Sequence, residues 1–123
     1  MSNINSVNIV IPQPILDQAW TDIKKALDAL KPYTIAITPE ERRTVPKMGD
    51  KTLAFVMKVQ EYATNSPEFA PKFMNVPAFD TDVTAASQLT RILQLLTPFA
   101  IEIDDTIMLS GSEAYISALM YYN

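Results

Sequence analysis

The sequence predicts an all-α fold, and three observations carry that prediction. Leu16, Ala19, Trp20, Ile23, Ala26, Leu27 and Leu30 recur at three- and four-residue spacing, the signature of one apolar helix face. From Ala78 to the C-terminus the same helical period persists, through Val83, Ala86, Leu89, Ile92, Leu93 and Leu96, then Phe99, Ile103, Ile107, Gly111, Ala114, Ala118 and Tyr121. Between these runs lie helix-start and helix-stop signals, Thr38-Pro39-Glu40-Glu41 and Asn65-Ser66-Pro67. The architecture expected is an antiparallel four-helix bundle with a long, Pro-containing first crossover, residues 13–123, preceded by an N-terminal arm, residues 1–12.

Each element has a local reason. In the arm, Val7, Ile9 and Ile11 alternate with Asn8 and Val10, which suggests a short extended piece ended by Pro12 and Pro14. Pro14 suits the first turn of helix one, where its missing donor costs nothing. Asp17, Asp22, Lys24, Lys25, Asp28 and Lys31 fill that helix's polar face, and Pro32 ends it. In the connection 32–49, Thr38 is an N-cap, Pro39 a first-turn residue, and Glu40 and Glu41 sit at the positive helix end. A short helical turn is expected there, closed before Pro46.

Helix two is expected over about Asp50 to Thr64, with Leu53, Val56, Met57 and Ala63 on one side and Phe55, Val59 and Tyr62 on a flank. The segment 66–77 places Phe69, Phe73 and Met74 among Pro67, Pro71 and Pro77. These aromatics are expected to plug an open bundle end, the alternative being an exposed contact patch. Pro98 is expected to break the long final run. One reading puts a boundary at Thr97-Pro98 and starts helix four there. The rival carries a kinked third helix to Met108 and turns at Ser110-Gly111-Ser112.

Composition narrows the chemistry. The 123 residues include no histidine, no cysteine and two glycines, Gly49 and Gly111. That removes most neutral-pH general-base chemistry, thiol chemistry, imidazole or thiolate metal binding and glycine-rich phosphate cradles. No cofactor or metal is expected. Lack of cysteine fits a reducing compartment. The N-terminus lacks the basic start and apolar run of a secretory signal, and no stretch has the length of a membrane span. A cytoplasmic protein is the expectation.

The net charge is −4, distributed as +1 over residues 1–76 and −5 over residues 77–123. An acidic chain repels phosphate backbones, so nucleic acid is not an expected partner. The asymmetry is read as basic and acidic segments facing each other. Glu102, Asp104 and Asp105 cluster, and Asp80 and Asp82 lie near a helix start, but none has calcium-loop spacing or singles out a catalytic pair.

Four features are candidates for interaction. Arg42, Arg43, Lys47 and Lys51 concentrate positive charge at the long connection, either pairing with the acidic half or docking an acidic partner. Gly111, Ala114 and Ala118 form a small-residue seam, for a core helix or for a homodimer. Tyr115, Tyr121 and Tyr122 suit a contact surface or the rim of a core. Met57, Phe69, Phe73, Met74 and Phe99 suit an adaptable apolar pocket.

Thr38-Pro39-Glu40-Glu41-Arg42-Arg43 with Pro46-Lys47-Met48-Gly49-Asp50-Lys51-Thr52, and Asp104-Asp105-Thr106 with Gly111-Ser112-Glu113-Ala114-Tyr115 and Tyr122-Asn123, resemble a group of small, uncharacterised bacterial helical-bundle proteins. The likeness covers roughly residues 38–123. It implies a four-helix bundle and carries over no activity, cofactor or site residue. Related sequences continue beyond the Tyr-Asn pair with a basic helical segment, and the Thr-Pro-Glu-Glu-Arg-Arg loop is the contact site it favours.

The functional expectation is a non-enzymatic interaction or structural module, self-associating or bound to a protein partner. The contact residues expected are Arg42, Arg43, Lys47, Gly111, Ala114, Tyr115, Ala118 and Tyr122. A carrier of a small apolar ligand is the alternative, and a carboxylate-dependent enzyme the more distant one.

Overall fold

The computed structural model describes residues 7–123; of the arm expected over 1–12, residues 1–6 lie outside the described residues. The described chain is helical, with no strand. Four α-helices follow one another: α1 Gln13–Leu30, α2 Pro39–Thr44, α3 Asp50–Asn65 and α4 Val76–Tyr122. Single 3₁₀ turns occupy Lys31–Tyr33 and Pro67–Phe69.

α1 starts after Pro12, with Pro14 in its first turn, and gives way to the 3₁₀ turn that contains Pro32. Its polar face carries an i,i+4 ion pair, Lys24 Nζ to Asp28 Oδ1 at 2.8 Å. α2 is one short helix held by a complete capping box. Glu41 N–H donates to Thr38 Oγ1, and Thr38 N–H donates to Glu41 Oε1, both at 3.1 Å. Arg42 and Arg43 complete its last turn, next to the negative helix end. α3 starts after Gly49 and ends at Ser66, whose N–H returns to the Tyr62 carbonyl. At the start of α4, Ala78 N–H donates to Asn75 Oδ1 at 3.0 Å, an N-terminal cap.

α4 corrects both placements of a fourth helix. Its 47 residues run unbroken through Pro98 and through Ser110-Gly111-Ser112. Pro98 withholds a single donor, from the Gln94 carbonyl, on an exposed stretch of helix. An interior proline costs about 3 kcal/mol. That cost is confined to one turn, and the helix continues on both sides of it.

The residues divide into two compact units. One consists of the residues up to Val45 with Thr106–Asn123, and the other is Pro46–Asp105. In the first, the arm residue Val7 donates its N–H to the Glu113 carboxylate of α4. In the second, Gln60 Nε2 of α3 donates to Asp80 Oδ1 of α4 at 2.5 Å. The half-covered residues Leu53, Val56, Val59 and Ala63 of α3, and Val76, Phe79 and Ala86 of α4, flank that bond in sequence at helical spacing. Val83, at 5% exposure, is the one buried residue among those described. Neither unit encloses the apolar core that a finished bundle has.

Candidate functional site: exposed apolar helix faces

The stripe that predicts α1 exists and is uncovered. Leu16, Trp20, Ile23 and Leu27 are all exposed, Trp20 at 68%. The α4 stripe is likewise open. Leu89, Ile92, Leu95, Leu96, Phe99 and Ile103 are exposed, as are Leu93 and Ile101 beside them. A helix apolar over this much of its circumference belongs in the interior of a bundle. The candidate site is therefore a set of faces.

The small-residue seam also lies open. Gly111, Ala114 and Ala118 are exposed, and a Cβ built on Gly111 meets no atom within 4 Å. Among the described residues no other helix approaches Gly111 closely. Ala114 does lie near the arm, in a shallow depression lined by Val7, Asn8, Ile9, Ser110, Glu113 and Ser117. Tyr115, Tyr121 and Tyr122 are exposed, Tyr122 at 91%.

Arg42 and Arg43 share the last turn of α2 in the first unit, whereas Lys47 and Lys51 belong to the second. All four are exposed. Among the described residues no group of three or more carboxylates is placed to hold a cation.

The segment after α3 folds back on the last turns of that helix. Val59, Tyr62, Ala63, Ser66, Phe69, Ala70, Pro71 and Met74 line an open groove of about 320 Å³. Of the residues expected to form an apolar pocket, Phe69 and Met74 are brought together here; Met57, Phe73 and Phe99 do not line it. The expected plug is corrected as well. Phe73 is 94% exposed and Phe69 81%, so neither is covered as a plug would be.

Among the described residues no helix is long and apolar enough to cross a membrane. No protein-family model, curated protein or solved structure matches the chain.

Proposed function

We propose that this chain is a non-enzymatic helical module that works by associating with further copies of itself. Its exposed apolar helix faces form the interior of that assembly. The observation that carries the reading is the contrast between Val83, the one buried residue among those described, and uncovered apolar stripes on α1 and α4. Burying one Leu or Phe contributes about 1.5–3 kcal/mol, and a folded domain has only about 5–15 kcal/mol to spare. A handful of these side chains therefore decides whether the chain is stable.

Association in this reading is extensive, with more than one face engaged. The antiparallel four-helix bundle is the assembled form, completed by helices of different copies. The Gly111–Ala118 seam and Tyr115 and Tyr122 belong to the same unpartnered surface. Arg42, Arg43 and Lys47 remain outside it, as a contact for an acidic partner.

Stability should then depend on chain concentration, because mass action links folding to assembly. The test is the thermal unfolding midpoint over a wide dilution series. A midpoint that rises with concentration supports the reading. A cooperative transition at one temperature throughout contradicts it and favours a bundle closed within one chain.

A second reading has its own observation. The groove beside Phe69 and Met74 falls at the lower end of ligand-pocket volumes, about 300–1,000 Å³, and its lining is largely apolar. A small apolar molecule held there makes the protein a carrier. Native mass spectrometry of protein from its own host tests this. A reproducible added mass that Phe69→Ser abolishes supports it, and an unladen chain counts against it.

A further inference from the structure

Resting on the self-association reading, we infer that α1 pairs with α1 of a second copy in an antiparallel, two-fold arrangement centred between Thr21 and Asp22. Leu16, Trp20, Ile23 and Leu27 follow one another at steps of four, three and four residues, the spacing of a coiled-coil seam. All four are exposed, whereas Leu30, next on the same line, is half-covered where α1 gives way to the 3₁₀ turn. The four are symmetric about their midpoint. Leu16 and Leu27 lie equally far from it, and so do Trp20 and Ile23. A two-fold axis through that point sets Leu16 against Leu27 of the second copy, and Trp20 against its Ile23, a self-complementary contact. A parallel pair would instead force both Trp20 rings into one layer.

Charge fixes the orientation and the register. At about 100° per residue, Asp17 and Lys24 both lie about 80° to one side of the seam, and Ala19 and Ala26 about 80° to the other. In an antiparallel pair, like flanks face each other. Asp17 then comes within about 3 Å, along the axis, of the level of Lys24 of the second copy. The two-fold repeats this, giving two ion pairs, while the alanines permit close approach on the opposite flank. A parallel pair sets these charges against alanine. Sliding the antiparallel pair by one heptad sets Lys24 against Lys24. Within one copy, Asp17 accepts from Gln13 Nε2 at 2.9 Å and Lys24 donates to Asp28 at 2.8 Å, both in exposed contacts. A carboxylate and an ammonium each bond more than one group. Lys24 therefore lies between Asp28 of its own helix and Asp17 of the second copy.

The test combines mass with charge exchange. Sedimentation is measured on the full chain and on Asp17→Lys, Lys24→Glu and the double variant. Each single variant should weaken association, by roughly tenfold for two exposed ion pairs turned repulsive. The double variant should restore it, although its residue 24 no longer attracts Asp28. Because the chain has no cysteine, cross-linking reads the alignment independently. Leu16 and Leu27 are about 16 Å apart along one helix, beyond the reach of a disulfide. Leu16→Cys chains mixed with Leu27→Cys chains should therefore cross-link to each other, and neither variant to itself. An oligomer indifferent to the charge exchange, or one in which Leu16→Cys cross-links to itself, overturns this pairing and leaves self-association standing. A monomer under all conditions overturns both.

Discussion

Val7 donates its backbone N–H to both carboxylate oxygens of Glu113, at 3.1 and 3.0 Å, across a sequence separation of 106 residues. This bond ties the arm to the C-terminal part of α4, beside Ala114 and Ser117. Both partners are half-covered, so the bond is partly shielded from water. Glu113→Gln removes the charge and keeps the shape. Bonds to charged groups contribute about 1.5–3 kcal/mol. Hydrogen exchange at the Val7 amide should therefore accelerate about tenfold. Exchange along α3 should be unchanged.

The capping box of α2 gives a second prediction. A six-residue helix is too short to persist on propensity alone. Thr38→Ala removes the acceptor for Glu41 N–H, a change that costs about 1 kcal/mol at an N-cap. Amide exchange at Glu41 and Arg42 should rise to that of an open loop, with little change in overall helicity. Thr38→Ser should retain most of the protection.

Pro98 tests the continuity of α4. If the helix runs through it, Pro98→Ala restores a hydrogen bond to the Gln94 carbonyl and removes a steric clash. The gain expected is up to about 3 kcal/mol, seen as a higher thermal midpoint and greater helicity by circular dichroism. A bundle that turns at Thr97–Pro98 responds in the opposite sense, because alanine extends the helix through its turn.

Gly111 tests whether the small-residue seam is used for close approach. With no atom within 4 Å of a built Cβ, Gly111→Ala should stabilise α4 by about 0.5–1 kcal/mol. Because the seam belongs to the unpartnered surface that association covers, the assembly mass should fall at the same time. A fall in mass would place a second helix against Gly111.

Local structure was legible in the sequence wherever a short-range signal decided it. Thr38, Pro39 and Glu41 specify α2 and its box, Pro32 and Ser66-Pro67 mark helix ends, and the α1 stripe appears where its spacing puts it. Two things were not legible. Pro98 reads as a breaker because its local penalty is known, while the helix propensity of the long runs around it is spread over many residues. The partner of each apolar stripe was the other. Periodicity at Leu16–Leu27 or Leu89–Ile103 states that a face is to be covered, and the same spacing serves a helix of this chain or of another. The seam at Gly111, Ala114 and Ala118 carries the same ambiguity. The groove at Phe69 and Met74 was visible as composition, but which residues line it depended on how the segment after α3 folds back.

Sedimentation equilibrium over a series of chain concentrations bears most directly on the central claim. The account predicts a mass that rises with concentration to a fixed multiple of 13.7 kDa, with helicity rising in parallel. A folded, fully helical species of single-chain mass at every concentration would contradict it.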